Sequence, residues 1–504
     1  MTDHIERRTG TYHDSVTLMR VSANVKKTDG VTDALIGMGT ELNLDLIRSA
    51  GFEIPGDAGP NDLLIALRAD DEEAMEAGRR AVEDTFAELQ RASSTSTGGS
   101  DVPAPRTLAG AARSHTTNIA MISVPGQHAF TPTMEALETG QSVMLFSDNV
   151  PVEQEIVLKD AAAKNDALLM GPDCGTAVVN GVALGFANVT RSGSIGLIAA
   201  SGTGAQQVMC LLDEAGTGVS HVLGLGGRDL STAVGGRSAR QAMAALAEDD
   251  RTESVIIVSK PADPTVVEAL DAQARELDLN VHWATLSPDS PDLTAAVEDA
   301  LRTDGHEPPA WKEHVSTTDQ PSQEARGPYL RGLFCGGTMA DEAMMIARTS
   351  LGPIRSNIPL DIDAGHDITC SGNEALEGNC VIDFGDDSMT QGRPHPMIDP
   401  SLRLSAITEQ GEDASCGVLL LDLVLGHCAH PDPASDLADA IHQARSAAAE
   451  SGRDLPVVIS LIGTDNDPQG RQSCVDALTA TGASVFGSNA RATRHAISLL
   501  PKFA

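Results

Sequence analysis

The sequence contains few aromatic residues and few lysines. Aromatic residues make up 3% of the 504 residues and hydrophobic residues 41%, so the cores must consist mainly of aliphatic side chains. Only seven residues are lysine, and 71 acidic residues outnumber 35 basic ones, which gives a formal net charge of -36. Because such a surface repels nucleic acid and anionic lipid, we expect neither as a partner. A small anionic substrate would need local cations or backbone N–H groups.

Signatures of metal, redox and membrane proteins are also missing. No two of the eight cysteines have CxxC spacing, and most stand singly in or beside apolar runs, which predicts reduced, buried thiols. The fourteen histidines show neither HxxxH nor HExxH spacing, so we predict no metal site. No apolar run approaches ~18 residues, and the N-terminus is polar, so we expect a cytoplasmic protein.

The first part of the chain predicts a small α+β domain over residues 1–91, with a ferredoxin-like fold as the candidate. A stretch rich in Ser, Thr, Gly and Pro follows and predicts a linker over residues 92–112. The pattern within the domain gives helices at 12–27, 41–52 and 70–90 and strands at 31–39 and 62–69.

From residue 113 onward, short apolar runs alternate with helical segments. This alternation is typical of parallel, doubly wound sheets covered by helices on both faces. We therefore expect two adjoining Rossmann-like domains at 113–190 and 191–302, a polar linker at 303–327, and a flavodoxin-like domain at 328–504. The fold class predicted for the whole chain is multidomain α/β with parallel sheets.

The clearest candidate site is the turn Ser201-Gly202-Thr203-Gly204, between the apolar run SIGLIAA and the helical segment AQQVMCLLDEAG. In open parallel sheets, ligands bind where strands lead into helix N-termini. Small residues let backbone N–H groups approach an anion, and the helix dipole favours negative charge there. A tight turn that needs glycine only for steric reasons is the alternative. The missing GK[ST] excludes a Walker A loop.

Three further turns follow apolar runs: GLGGRDL with Arg228, FCGGTMADEAM at 334–344, and Gly426-His427 after GVLLLDLVLG. Each is also explained by a plain turn. The segment 381–400, VIDFGDDSMTQGRPHPMIDP, differs because prolines fix the directions of its polar residues. Arg393 offers a bidentate grip on carboxylate or phosphate, and His395 can transfer a proton near neutral pH. A surface loop held by Asp–Arg pairs is the alternative.

Longer stretches resemble known families. ISVPGQHAF, MGPDCGTAV, SIGLIAASGTG, HVLGLGGRDL and SVIIVSK resemble the α subunit of succinyl-CoA synthetase in order and spacing. FCGGTMADEAM, VIDFGDD and GVLLLDLVLG resemble the CoA-ligase domain of its β subunit, and the whole chain, with GRPHPMIDP, resembles the FdrA family. The resemblance implies a CoA-binding-type domain at 113–190, a flavodoxin-type domain at 191–302 and a CoA-ligase-type domain at 328–504.

The departures from succinyl-CoA synthetase bear on the chemistry. No GHAGA motif with the phosphorylated histidine follows Lys260, and SKPAD at 259–263 replaces the acidic EIGG motif. An ATP-grasp region is not found in the sequence. The resemblance therefore implies that this chain alone does not pass a phosphoryl group from ATP through a phosphohistidine.

The FdrA resemblance implies carbamoyl transfer between carbamoyl phosphate and oxamate, with oxalurate and phosphate as the other pair, in anaerobic purine (allantoin) degradation. It also implies a hetero-oligomer with partner subunits, with phosphate or carbamoyl phosphate as ligand and CoA as a further possible one. The implied roles are a phosphate cradle at Ser201, Gly202, Thr203 and Gly204, a second helix after Gly426, a clamp at Arg393, an acid/base at His395, and positive charge from Lys260 and Arg228.

Two other functions remain open. The chain is either a subunit of an acyl-CoA synthetase that works with a separate ATP-grasp partner, or a non-catalytic scaffold or sensor with a vestigial anion site. The first predicts CoA binding by the domain at 113–190. The second predicts that neither phosphate nor CoA shifts the melting temperature.

Overall fold

A computed structural model divides the chain into two compact units, residues 1–104 and 105–504. No helix in the described part is long and apolar enough to cross a membrane. The structure describes residues 2–501 except 10, 12–14, 41–42, 45–46, 49, 55–57, 60–61, 96–104, 106, 288–289, 318–325, 361–375 and 391–393.

The first unit is a three-stranded antiparallel sheet with two long helices. β3 pairs antiparallel with both β1 and β2 and lies between them, which is the strand order of a split β-α-β, ferredoxin-like arrangement. The predicted α+β character is therefore confirmed. Its elements are β1 (Thr2–Thr9), α1 (Ser15–Val25), β2 (Val31–Met38), β3 (Asp62–Ala69) and α2 (Glu72–Thr95).

Burial on both faces explains why β3 is apolar along almost its whole length. Leu63 and Ile65 pack in one cluster with residues of α1 and α2, whereas Leu64 packs on the other face in a cluster with Ile47 and Phe52. β1 is polar and only partly buried, so the sequence pattern predicted no strand there. β1 is held in the sheet by antiparallel pairing with β3 along all eight of its residues.

The second unit begins with a three-stranded parallel sheet, here called the first module. The strand order is β4-β5-β6. Ile122, Leu137, Val143 and Leu158 are buried together between the sheet and its helices. The elements are α3 (Leu108–Ser114), β4 (Ile119–Ile122), α4 (Phe130–Glu138), β5 (Ser142–Leu145), α5 (Val152–Lys164) and β6 (Leu169–Met170).

The second module is a six-stranded sheet of order β12-β11-β9-β10-β7-β8. β9 to β12 are parallel, and their order β10-β9-β11-β12 is flavodoxin-like, with the order reversing between β9 and β11. Its elements are β7 (Thr176–Val179), β8 (Val182–Gly185), β9 (Ser192–Ala199), α6 (Gly202–Glu214), β10 (Val219–Gly224), α7 (Arg237–Ala247), β11 (Ser254–Ser259), α8 (Pro264–Glu276), β12 (Asn280–Thr285) and α9 (Leu293–Thr303).

The third module is a second six-stranded sheet, of order β13-β18-β17-β16-β14-β15. Its parallel strands again follow a flavodoxin-like order, and the order reverses between β14 and β16. Its elements are β13 (Glu313–His314), β14 (Tyr329–Phe334), α10 (Gly337–Leu351), β15 (Cys380–Asp383), α11 (Asp387–Thr390), α12 (Ser401–Glu409), β16 (Cys416–Val424), α13 (Pro433–Glu450), β17 (Val457–Ile462), α14 (Arg471–Ala480), β18 (Ser484–Phe486) and α15 (Asn489–Leu499).

Part of the polar stretch 303–327 is folded. β13 pairs antiparallel with β18. Trp311 is buried, and its indole N–H donates to Glu298 over 2.8 Å. Residues 311–314 therefore belong to the packed structure, because an indole gains from burial when its N–H finds an acceptor.

The second and third modules share one hydrophobic core. Met209 of α6 and Leu301 of α9 lie in the same buried cluster as Met339 of α10 and Leu499 of α15. Polar groups are also satisfied across the modules: Asn188 Nδ2 donates to Asp467 Oδ2 over 2.7 Å. The two modules therefore share one core within the same compact unit.

Cysteine burial follows the expectation from the sequence. Of the seven free cysteines in the described part, all are buried except Cys428. Burial raises the pKa of Cys174 and of Cys416 to about 12, so both thiols stay protonated and inert at neutral pH. Cys370 lies outside the described residues.

A fully buried charge cluster connects the first module to the second. Lys159 of α5 contacts Glu155 over 2.8 Å and Asp229 over 2.7 Å, and all three side chains are at most 1% exposed. The Asp229 carboxylate also accepts the N–H groups of Ser238 and Ala239 at the start of α7. The cluster explains why GLGGRDL contains a fully buried acidic residue, Asp229.

We expect Lys159→Met to lower the free energy of unfolding of residues 105–504 by about 3–5 kcal/mol, because the buried Asp229 loses its cation and Glu155 keeps only Arg228. Denaturant unfolding measures the effect. Lys164→Met, an exposed substitution in the last turn of the same helix, is the control and should change little. Equal stability of the two variants would contradict a structural role for the cluster.

Candidate functional site

The ligand-binding edges of the second and third modules lie against each other. Ser201 follows β9 and Lys260 follows β11, which are the two strands at the point where the strand order reverses. Gly336 follows β14 at the corresponding point of the third module. Ser201 Oγ forms a hydrogen bond with Thr338 Oγ1 across the two modules. Because ligands of open α/β sheets bind at such points, the two edges form one candidate site.

Two helices, α6 and α10, begin in this site. Ser201 caps α6 and its Oγ accepts the N–H of Gly204 over 3.0 Å, whereas Gly336 caps α10. The first N–H groups of a helix have no acceptor within it, so those of Gly202 and Thr203 remain available for a ligand. With α10 beginning beside them, both macrodipoles favour an anion at the same place.

The close approach of the helices depends on a missing side chain at Gly336. A Cβ at this position would lie 2.9 Å from Thr203 Cγ2 and 3.0 Å from its Oγ1. Gly336 has an extended backbone with φ -120, which any residue can adopt. Glycine is therefore needed here for space and not for conformation.

Lys260 brings positive charge to the start of α10. Its Nζ contacts Asp341 Oδ2 over 2.8 Å, and it would lie 3.7 Å from a Cβ on Gly337. Partial burial lowers the pKa of Lys260, but Asp341, Asp383 and Asp386 more than offset this and raise it overall. Lys260 is thus a permanent cation at neutral pH, next to the helix N-terminus.

Asp383 ends β15 beside the same helix. Asn357 fixes its backbone by accepting the Asp383 N–H and donating to the Asp383 carbonyl. Oδ1 accepts the N–H of Gly385 over 2.8 Å, and Oδ2 would lie 2.7 Å from a Cβ on Gly337. Burial raises the pKa of Asp383 to about 7, although the Gly385 N–H and Lys260 act against it.

His395 lies on the other side of Gly385. Its Nε2 would be 2.6 Å from a Cβ on that glycine, and its Nδ1 accepts the N–H of Met397 over 3.2 Å. Burial lowers the pKa of His395 to about 4, so the ring is neutral at pH 7. With Nδ1 accepting, the proton is on Nε2, and His395 can donate a hydrogen bond rather than accept a proton.

The outer wall of the site is acidic. Asp173 lies in MGPDCGT with φ 59, a left-handed conformation that is uncommon for a non-glycine residue. Its side chain reaches solvent. Partial desolvation is nevertheless the largest cause that raises the pKa of Asp173 to about 6, and the negative charges of Asp148 and Asp387 raise it further. Lys260 and Arg228 act in the opposite direction. Asp173 therefore carries a proton more readily than an ordinary surface carboxylate.

A buried ion pair fixes the turn that begins α10. Asp422 of β16 accepts the N–H groups of Cys335 and Gly336 over 2.9 and 3.0 Å. Arg403 of α12 contacts Asp422 over 2.9 Å and also donates to the Leu333 carbonyl. Asp422 is fully buried, and charge-assisted bonds of this kind are stronger than neutral ones.

The structure brings together most of the residues that the sequence singled out. Gathered around the two helix N-termini are Ser201, Gly202, Thr203, Gly204, Lys260 and His395. Their proposed roles in catalysis or binding stay predictions. Arg228 lies further out and is engaged by the Val150 carbonyl at 2.7 Å and by Glu155 at 2.9 Å. Its location favours holding the modules together over contacting a ligand.

Arg393 and Gly426 are the other two positions that the sequence analysis singled out. Arg393 lies outside the described residues. Gly426 is in a turn with φ 117, where a Cβ would meet the Ala187 carbonyl, and the helix that follows it, α13, begins at Pro433. The role proposed for this helix at the site stays a prediction. The helix that faces α6 is α10, which begins after the Gly336-Gly337 turn.

Several residues of the site were not predicted from the sequence. Asp341 is the partner of Lys260, and Asp422 fixes the turn before α10. A signal for Asp422 was present, since a carboxylate within the apolar run VLLLDLVLG must be paired to be buried. Asp341 offers no such signal, because acidic residues in the first turns of helices are ordinary.

Comparisons with known proteins agree with this architecture. Residues 333–499 match the CoA-ligase family. Residues 1–103 match the family described as AllF, heavy metal-associated domain. Those residues contain no cysteine, and the described residues include no group of three His, Cys, Asp or Glu side chains that could hold a metal ion. The described side chains of residues 1–103 therefore do not fit a heavy metal.

The chain is 35% identical over 507 residues to the uncharacterized protein YahF of Escherichia coli, covering 95% of both chains. It is 27% identical over 183 residues to the α subunit of succinate–CoA ligase from Aquifex aeolicus, covering 35% of this chain and 59% of that one. A subunit of the ADP-forming sulfoacetate-CoA ligase of Bilophila wadsworthia is 24% identical over 172 residues, covering 32% of this chain and 57% of that subunit. The match to these ligase subunits thus spans little more than half of their length.

We expect Gly336→Ala to destabilise the contact between the second and third modules by about 1–3 kcal/mol, the usual cost of overpacking, because the new methyl group meets Thr203. Equilibrium unfolding in denaturant measures the change. Gly227→Ala is the control, since a Cβ there would meet nothing within 4 Å. If Gly336→Ala is as stable as this control, the helices do not approach as described.

Proposed function

Because the chain belongs to the FdrA-type family, we propose that it is an enzyme subunit that transfers a carbamoyl group between carbamoyl phosphate and oxamate, with oxalurate and phosphate as the other pair. The observation that carries the proposal is the meeting of the α6 and α10 N-termini with Lys260 beside them. This arrangement offers N–H donors and a cation to a phosphate in an otherwise acidic protein.

The proposed reaction suits a site of this kind. Carbamoyl phosphate is a mixed anhydride, so its carbonyl carbon is already activated and neither ATP nor a phosphohistidine is needed. What the reaction requires is stabilisation of the negative charge that develops on the departing phosphate. The N–H groups of Gly202 and Thr203 and the ammonium group of Lys260 would provide it.

His395 has a narrower role in this proposal than a general acid/base. A neutral ring whose Nδ1 is already an acceptor offers one N–H at Nε2. That group would donate to the carbonyl oxygen of the carbamoyl group as it gains charge. Arg393 remains the proposed clamp for the oxamate carboxylate, since a guanidinium matches a carboxylate in a bidentate manner.

The second candidate is a subunit of an ADP-forming acyl-CoA ligase that works with a separate ATP-grasp partner. The likeness to ligase α subunits favours it. The first module counts against CoA, because the turn after β4 contains Pro125, which has no N–H, and the turn after β5 carries Asp148. Calorimetry with CoA and with inorganic phosphate separates the two functions: CoA binding would favour the ligase.

The proposed function also involves partner subunits. We propose that the chain acts in a hetero-oligomer with other subunits of the same pathway, as the subunit names of its relatives indicate for those proteins. Assays should therefore use the assembled complex. A non-catalytic scaffold would bind neither phosphate nor carbamoyl phosphate, and the calorimetry above tests that function as well.

In the assembled complex, we expect Lys260→Met, which removes the cation at the start of α10, and Arg393→Met each to raise the KM for a substrate or to abolish turnover. Loss of a hydrogen bond to a charged group costs about 1.5–3 kcal/mol, or roughly 10- to 100-fold in kcat/KM. Phosphate release from carbamoyl phosphate, with and without oxamate, is the measurement. Lys164→Met and Arg302→Met, both at exposed positions, are matched controls. Unchanged kinetics in both site variants would rule out the assignment.

A further inference from the structure

We propose that Asp383 is the proton-transfer residue of this site: its carboxylate takes the proton lost by the attacking nitrogen and gives it to the departing phosphate. The inference rests on the proposed function. It concerns a group that the proposed phosphate cradle does not use. Asp383 lies on β15, next to β14 and to the start of α10.

The position of Asp383 fits a group that reaches the phosphate. It is the last residue of β15, pairs with Phe334 of β14 in the sheet, and is only 5% exposed. Its Oδ2 occupies the space left by the missing side chain of Gly337, the first residue of α10. An anion held at that helix N-terminus would therefore lie against this carboxylate.

One oxygen of Asp383 is free for proton transfer. Oδ1 accepts the Gly385 N–H, and Asn357 fixes only the backbone. Within the part of the chain that the structure describes, no hydrogen-bond donor is assigned to Oδ2. This oxygen is therefore where a proton or a substrate N–H is expected.

The charged groups around Asp383 come from several elements. Lys260 follows β11, Asp386 follows β15, Asp422 is on β16 with its partner Arg403, and His395 is across Gly385. Lys260 is paired with Asp341, Asp422 is satisfied by Arg403 and two N–H groups, and His395 Nδ1 is occupied. Of the carboxylates Asp383, Asp386 and Asp422, Asp383 is the one that is buried and has an oxygen with no assigned donor within the described residues.

The proton balance of the reaction requires such a group. The C–N bond forms as the C–O bond between the carbonyl carbon and the phosphate breaks. The amide nitrogen must then lose its proton, and the departing phosphate must gain one to leave as hydrogen phosphate. One carboxylate that accepts the first proton and donates it in the second step completes the cycle without any further reactant. With a pKa of about 7, Asp383 can do both at neutral pH.

The first test is calorimetry of inorganic phosphate binding in two buffers of different ionisation enthalpy. The wild-type complex should take up protons on binding, because the bound anion favours the protonated form of Asp383. Asp383→Asn should take up fewer protons, because only the ionisation of phosphate itself then remains linked to binding. Asp399→Asn, an exposed carboxylate of the same segment, should behave as wild type.

The outcomes separate the two proposals. If the wild-type complex does not bind phosphate, the proposed function fails. If phosphate binds and Asp383→Asn takes up the same number of protons, the role of Asp383 is overturned and the cradle stands. In turnover assays, Asp383→Asn should lower kcat about 10²–10⁴-fold with a small change in KM, and Asp383→Glu should restore part of the rate.

Folding of the variant is checked by the pH dependence of stability. The folded pKa of Asp383 is raised above its unfolded value, so its contribution is full at low pH and is lost as pH rises towards about 7. Replacing it with Asn removes this loss. We therefore expect the Tm difference, Asp383→Asn minus wild type, to increase from pH 5 to pH 8. A constant difference would show that the carboxyl does not titrate near neutrality.

Discussion

The ion pair between Asp422 and Arg403 is the interaction on which the candidate site depends. It places a carboxylate inside a central strand and uses both of its oxygens to hold the backbone before α10. The start of α10 is thereby fixed relative to the sheet. From that fixed point follow the approach of Gly336 to Thr203, the pairing of Lys260 with Asp341 and the location of Asp383.

The candidate site attracts an anion locally although the protein as a whole is strongly acidic. A chain of net charge -36 repels anions at long range, and the outer wall of the site adds Asp148 and Asp173. Two helix N-termini and Lys260 counter this locally. Because backbone N–H groups cannot be titrated, the attraction for an anion persists over a wide pH range. The carboxyls with raised pKa values lose much of their repulsion once protonated.

The sequence predicted the elements of the fold better than the relation between them. Apolar runs followed by glycine-rich turns located β9 and β14 and the turns that follow them, since buried parallel strands are apolar on both faces. The polar strand β1 left no such signal, because it forms through its register with β3. The turn after Gly426 shows a similar limit, because an apolar strand followed by glycine looks the same whether the helix begins at once or after a longer turn. That the turn before α6 faces the turn before α10 is decided by the packing of the two modules, which the sequence pattern does not reveal.

Both helix N-termini belong to one polypeptide, and this has a consequence for assembly. If the two halves of the site were on separate chains, the fraction of complete sites would fall on dilution. Here the connection between the second and third modules makes their encounter intramolecular, and their shared core closes it. The meeting of the two helix N-termini is therefore independent of protein concentration.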